Sequence, residues 1–208
     1  YQGQKCSAAS RIYVPKSIWP EVRDRVAAMI KDIRVGDVND FRNFMGAVID
    51  QKAFDRISVY LDDAKKNAKV IAGGGCDGKD GWFVEPTIFT DLPTTSTLAC
   101  DEVFGPAVGI WEYETFDDAV TAANNTRYGL SAAVFTRDLD RAKEFAERIK
   151  AGVVRVNTQT AGIEPHAPLS GWRESGDGQA EQGRAAIDFF TDIKTVYLNP
   201  SQDGRQPS

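Results

Sequence analysis

The sequence predicts an α/β fold, a mostly parallel open sheet with covering helices. Three observations carry this. Between Gly105 and Asn157 the apolar pattern alternates strand, helix, strand, helix, strand, the order that builds parallel sheets. The run AVGIW (Ala107–Trp111) is nearly continuous in apolar residues, as suits a strand buried on both faces. The chain has 208 residues with 42% hydrophobic, 26% charged and 10% aromatic, an ordinary composition for one domain with its own core.

The elements follow in order. RIYV (Arg11–Val14) reads as a strand entering a loop at Pro15. Ile18, Val22, Val26, Met29 and Ile33 recur at helical steps, with Ser17 as the cap, Pro20 and Glu21 in the first turn and Gly36 as the stop. The polar stretch GDVNDFRN is a loop. A second helix covers about Gln51 to Ala68, capped by Asp50, with Phe54, Ile57, Tyr60, Leu61 and Ala64 as its apolar stripe. KVIAGG is a strand running into a glycine turn, and GWFVEPTIFTDL is a strand interrupted at Pro86.

Thr115 or Asp117 caps a helix reaching Asn124. Tyr128–Thr136 is a strand, and Asp138–Lys150 is a helix with Leu139, Ala142, Phe145, Ala146 and Ile149 on one side. Gly152–Asn157 is a strand. Ala161–Gly178 is a long Gly/Pro-rich loop, Gln179–Phe190 a helix, and Lys194–Asn199 a last strand before a polar tail from Pro200.

Composition excludes several functions. Lys and Arg number 25 against 30 Asp and Glu, a net charge of −5, so there is no electrostatic reason to bind nucleic acid or an anionic membrane. No apolar run approaches the roughly 20 residues a membrane span needs. The start YQGQKCSAAS is polar and lacks the apolar region of a signal peptide. It begins at Tyr1 rather than Met and reads as the later portion of something longer. Cys6, Cys76 and Cys100 are an odd count without a CxxC pair, which argues against a disulfide framework or a cysteine metal site. With His166 as the one histidine, a His-based metal cluster is excluded, and no metal is expected. Free thiols point to a reducing, cytoplasmic compartment.

Three segments could carry chemistry. In GQKCSAASR, Lys5 and Arg11 could favour a Cys6 thiolate, Gly3 allows close backbone approach, and N–H groups beside Cys6 could donate to an oxyanion. The alternative is a small buried hydrophobe. In DEVFGP (Asp101–Pro106), Glu102 could accept from a sugar hydroxyl pair and Phe104 could stack on a planar ring. The alternative is a solvated Glu beside a core Phe. The loop HAPLSGWRESGDG (His166–Gly178) could line a site with its backbone or simply cross the structure. It has neither the spacing nor the strand-to-helix setting of a dinucleotide fingerprint, and Gly73–Gly75 reads as a turn. A cysteine hydrolase would need His166 as partner for Cys6.

These motifs, in this order, resemble the C-terminal, catalytic portion of the NAD(P)-dependent aldehyde dehydrogenase superfamily. GQKC is similar to its G-Q-x-C nucleophile motif, and EVFGP to its E-x-F-G-P motif. YGLSAAVFTRD, GVVRVN, the PxxGxxxSGxG loop (Pro168–Gly178) and FFTDIKTVYL follow in family order. The resemblance implies that Cys6 attacks an aldehyde to form a thiohemiacetal. Its N–H would hold the oxyanion, and NAD or NADP would take the hydride. Glu102 would bind the nicotinamide ribose, with Phe104 packed beside it. The Asn157 strand end and the Pro168 loop would wall the site, and Lys194–Leu198 would join a neighbouring subunit's sheet in a homo-oligomer. The implied division is a catalytic domain over 1–190, an oligomerisation strand over 191–199 and a polar tail over 200–208. The dinucleotide-binding domain, general base and oxyanion asparagine would lie upstream, so the 208 residues alone are expected to be inactive.

YQGQKCSAASRIYVP with GDVNDFRNFMGAVIDQKAFDRI resembles 1-pyrroline-5-carboxylate (glutamate semialdehyde) dehydrogenases of proline catabolism, which implies that Ser7 helps bind a substrate carboxylate. The stretch from Thr158 to Leu198 is more similar to 2-oxoglutarate semialdehyde dehydrogenases. Ala161 and Gly162 fall where the carboxylate anchor would be completed, and Leu169-Ser170 replaces a Phe-Gly. Both substrates are short, carboxylate-bearing semialdehydes. The reading from another class is a truncated, non-catalytic oligomerisation or binding domain.

Overall fold

A computed structural model describes residues 1–162 and 164–199. The fold is mixed α/β. Four strands form the main sheet in the order β1-β6-β5-β2: β1 (Arg11–Pro15), β6 (Ala107–Tyr113), β5 (Thr87–Thr90) and β2 (Lys69–Ala72). β1 and β5 both run parallel to β6, and β2 closes the edge antiparallel to β5. Parallel pairs need crossovers, and helices α1 (Trp19–Lys31) and α2 (Gln51–Asn67) lie between β1 and β2 in the chain. A two-residue pair, β3 (Cys76–Asp77) with β4 (Phe83–Val84), forms a small antiparallel hairpin that the apolar pattern does not reveal.

The sheet is covered on both faces, so β5 is buried at all four positions. Its alternation separates two cores. Phe89 packs with Ile57, Leu61, Leu98 and Val103 on the α2 side. Ile88 packs with Val14, Trp19 and Ile110 on the α1 side. Both cores touch β6: Val108 reaches the α1 side, Ala107 and Trp111 the α2 side.

A second parallel pair, β7 (Ser131–Val134) with β8 (Val153–Val156), is separate from the main sheet. Its crossover is α5 (Leu139–Arg148), and α4 (Phe116–Asn124) precedes it. Val120, Phe145 and Ile149 make its core. Thr115, not Asp117, caps α4, in a reciprocal bond with Asp118. Asp138 caps α5 through the N–H groups of Asp140 and Arg141. Arg11 ties the two parts together. Its guanidinium donates to the carbonyls of Ala123 (2.9 Å) and Asn125 (3.0 Å) at the C-terminus of α4, where a cation is favoured.

Several expectations are corrected. Ile18, not Ser17, precedes α1 as its cap residue and makes no side-chain cap bond; the helix ends at Lys31 rather than at Gly36. Its inward stripe is the buried Trp19 with the half-buried Val22, Val26 and Ile30, leaving Ile18 and Met29 exposed. The phase shifts because the bulky Trp19 claims the inward position. Leu139 and Ala146 are exposed on α5. The helix expected over Gln179–Phe190 shrinks to α6 (Ala185–Phe189). Glu181 is held in a two-way backbone pair with Leu169, and Gly183 has φ +54° against the His166 carbonyl, so the chain there is committed to the preceding loop. A short helix, α3 (Thr97–Cys100), and a 3₁₀ turn (Arg173–Ser175) add to the elements expected. Lys194–Asn199 lies in no helix or strand here. A strand needs a hydrogen-bonding partner, and no described strand pairs with it. The polar tail from Pro200 and Ile163 lie outside the described residues.

Candidate active site

The loop carrying Cys6 folds as a series of tight turns. Gln4 N–H donates to the Tyr1 carbonyl, Lys5 N–H to Gly3 and Ala8 N–H to Lys5. Gly3, at φ +70°, lies so close to the next motif that a Cβ there would sit 2.3 Å from the Gly105 carbonyl oxygen. Gly105 in turn is crowded from α2: its Cβ position lies 2.6 Å from Cδ1 and 2.8 Å from Cγ1 of the fully buried Ile57. The GQKC and EVFGP motifs therefore cross backbone to backbone on a fixed floor, and glycine is required at the crossing.

This crossing opens a cleft between the two motifs, lined by Gly3, Lys5 and Ala8 on one wall and Glu102, Phe104 and Gly105 on the other. Cys6 is exposed, which sets aside the buried-hydrophobe alternative. Glu102 is exposed and Phe104 half-buried. Phe104 has φ 55°, a left-handed conformation that is rare for an aromatic residue and is held here by its surroundings. The turn is braced from behind. Arg56 donates to the Val103 carbonyl at 3.2 Å, Tyr60 donates to the Asp101 carboxylate at 3.0 Å, and Arg127 pairs with the same carboxylate at 3.1 Å.

Arg11 is not a partner of the thiol, because its guanidinium is spent on α4. Lys5 remains exposed on the cleft wall. Ser7 is 2% exposed, and its hydroxyl is buried without a partner among the described residues. Ala161 is half-buried and Gly162 exposed at φ +91°. They join the site through Thr160, whose hydroxyl donates to the Ser7 carbonyl at 2.6 Å. Arg155 on β8 donates to the Gly162 carbonyl. Gln4 accepts from Ile49 N–H at 2.9 Å and ties the loop to the segment before α2. Gln4, Thr160 and Arg155 were not singled out from the sequence. Each has a local signal: Gln4 stands in GQKC, Arg155 in GVVRVN, and Thr160 beside Ala161-Gly162.

The last loop behaves mainly as a crossing. Trp172 N–H donates to the Gly129 carbonyl, and the Ser175 hydroxyl accepts from Gly129 N–H, both at the start of β7. Asn157 sits at the other end of the pair, where its side chain brackets Thr136 N–H (2.8 Å) and carbonyl (2.9 Å). His166 is exposed, and no hydrogen bond joins it to Cys6 among the described residues.

The arrangement offers a carboxylate and an aromatic ring on one wall of a cleft, and on the other a loop that carries an exposed thiol whose N–H has no acceptor among the described residues. Among the described residues no helix is long and apolar enough to cross a membrane.

Known proteins share this architecture. A family model described as "Aldehyde dehydrogenase family" matches residues 1–196. An alpha-ketoglutaric semialdehyde dehydrogenase from Bacillus subtilis (strain 168) is 36% identical over 203 residues, covering 95% of this chain and 42% of that protein. A mitochondrial aldehyde dehydrogenase from Equus caballus is 35% identical over 202 residues, covering 97% of this chain and 40% of that protein. The solved NAD+ complex of an aldehyde dehydrogenase from Bacillus cereus superposes with a TM-score of 0.91 at 33% identity, covering 96% of this chain and 40% of that one. The chain spans about two fifths of the length of the curated relatives it matches. With its motifs, its fold and nearly its whole length accounted for in this way, the chain belongs to the aldehyde dehydrogenase family.

Proposed function

We propose that this chain carries the nucleophile and part of the cofactor site of an enzyme that oxidises an aldehyde to a carboxylic acid with NAD or NADP. The observation that carries the reading is the Gly3–Gly105 crossing, which faces the Cys6 loop with Glu102 and Phe104 across one cleft. An exposed carboxylate and a half-buried ring suit the ribose and nicotinamide end of a dinucleotide. The dinucleotide supplies a hydride acceptor when bound. The Cys6 thiolate adds to the aldehyde carbon, a C–S bond forms, and the carbonyl electron pair moves onto oxygen, where the Cys6 N–H donates. With a bound hydride acceptor the oxyanion would collapse to a thioester on Cys6; water then adds to its carbonyl, the C–S bond breaks, and the carboxylic acid, the Cys6 thiolate and a proton to solvent are released.

For substrate we infer a short semialdehyde bearing a carboxylate, glutamate semialdehyde in the first place, with Ser7, Ala161 and Gly162 as its anchor. The similarity to the Bacillus subtilis alpha-ketoglutaric semialdehyde dehydrogenase favours 2-oxoglutarate semialdehyde as a second candidate. Val196, Tyr197 and Leu198 are exposed and unpaired with any described strand, which supports Lys194–Leu198 as the edge that meets a second copy. Three exposed free thiols suit a reducing compartment, by this reading the cytoplasm.

The test is aldehyde-dependent NAD(P) reduction by the protein that carries these residues, assayed with both semialdehydes. Cys6→Ala should lower kcat by three orders of magnitude or more. Activity surviving that change would leave a binding or oligomerisation role instead.

A further inference from the structure

We propose that Thr160 is a positioning residue for the nucleophile loop, aiming the Cys6 N–H through two linked peptide planes. The inference rests on the reading of Cys6 as nucleophile.

The chain of contacts is continuous. Thr160 Oγ1 donates to the Ser7 carbonyl at 2.6 Å across 153 positions of sequence. That carbonyl shares its planar peptide with the Ala8 N–H. Ala8 N–H donates to the Lys5 carbonyl at 2.9 Å. The Lys5 carbonyl shares its peptide with the Cys6 N–H. Among the described residues nothing accepts from the Cys6 N–H, so it is free to meet an oxyanion. Each planar unit passes orientation to the next, and hydrogen bonds in series polarise one another, which strengthens the terminal donor.

Thr160 is itself held. Two residues on, the Gly162 carbonyl accepts from Arg155, a residue of β8. The segment that follows the second parallel pair of strands thereby reaches the loop that carries Cys6. Ser7, buried at 2% exposure, acts as the pivot that leaves its neighbour Cys6 facing out.

A structural brace alone would alter every reaction of the thiol. An aimed oxyanion donor alters only reactions that build negative charge on oxygen. The experiment compares two reagents on the protein that carries these residues, read by mass spectrometry at Cys6 with Cys76 and Cys100 as internal references. With p-nitrophenyl acetate the thiolate forms a C–S bond, the ester C–O bond breaks and p-nitrophenolate leaves, through an oxyanion. With iodoacetamide the thiolate displaces iodide, with no oxyanion. Thr160→Val should slow acylation of Cys6 about tenfold and change alkylation by less than about twofold, in line with the loss of one hydrogen bond. Thr160→Ser should restore the acylation rate. If Thr160→Val fails to fold, as judged by circular dichroism, Thr160→Ala makes the same comparison. An unchanged ratio of the two rates overturns the proposal while leaving Cys6 as nucleophile. In the unsubstituted protein, Cys6 acylating no faster than Cys76 and Cys100 overturns both.

Discussion

The Cβ position of Gly3 lies 2.3 Å from the carbonyl oxygen of Gly105, so the two motifs that frame the cleft touch backbone to backbone. Neither partner can retreat, because Gly105 already rests on the fully buried Ile57. Gly3→Ala adds a methyl where the obstacle is backbone and φ is +70°. It should cost about 1–3 kcal/mol in urea unfolding and slow acylation of Cys6. Wild-type stability in the variant would mean that the crossing is looser than described.

The floor beneath this crossing has its own expected cost. Ile57 is 0% exposed and packs with Leu61, Phe89 and Val103. Ile57→Ala should lose about 2–5 kcal/mol, whereas Met29→Ala, on the exposed side of α1, should stay within about 0.5 kcal/mol. Equal losses at the two sites, in the same urea titrations, would contradict the core assignment.

Alkaline pH should weaken the fold through its tyrosines. Burial pushes the Tyr13 phenol above its ordinary value, against a smaller opposite pull from the Arg11 charge, and its hydroxyl donates to the Ala122 carbonyl at 3.1 Å. Tyr60 is raised by burial and by its bond to Asp101, and Tyr113 by burial. A raised value favours the neutral phenol in the folded state. The contribution is therefore complete below the unfolded value of about 10 and is lost as pH climbs through the folded one. Urea midpoints should fall from pH 9 to pH 11, and Tyr13→Phe should make that fall shallower while costing about 1 kcal/mol at neutral pH. A slope unaffected by the substitution would remove Tyr13 from the account.

Asn157 closes the end of the second strand pair by bonding both the N–H and the carbonyl of Thr136, with its own φ at 56°. Asn157→Ala removes two hydrogen bonds and leaves a left-handed backbone to an alanine. A loss of about 1–3 kcal/mol is expected, with faster amide exchange at Thr136. Asn157→Gly should recover part of that loss by relieving the backbone.

Much of the architecture is legible in the sequence because its causes are local. Asp50 announces its helix by the cap it makes, and the stripe Ile57–Leu61–Ala64 announces its buried face. The phase of α1 is misread because one large aromatic, Trp19, outweighs a regular spacing of smaller residues. The over-long helix before Phe190 fails because Glu181 is claimed by Leu169, a pairing that no helical periodicity records. Cys6, Glu102 and Phe104 are legible through the motifs that hold them, and the cleft sets the loop of Cys6 opposite Glu102 and Phe104. Arg11 misleads, since nearness in sequence to Cys6 says nothing of the α4 carbonyls it meets. Thr160 is beyond a sequence reading of contacts, because its partner Ser7 lies 153 positions away.

As the proposed nucleophile, Cys6 forms the covalent bond to substrate. The most direct measurement is rapid-quench mass spectrometry of the protein carrying this chain, mixed with a carboxylate-bearing semialdehyde and NAD or NADP. An acyl thioester is expected, confined to the peptide holding Cys6, rising before product accumulates and absent in Cys6→Ser. Turnover with no adduct on Cys6, or with the acyl group on Cys76 or Cys100, would contradict it.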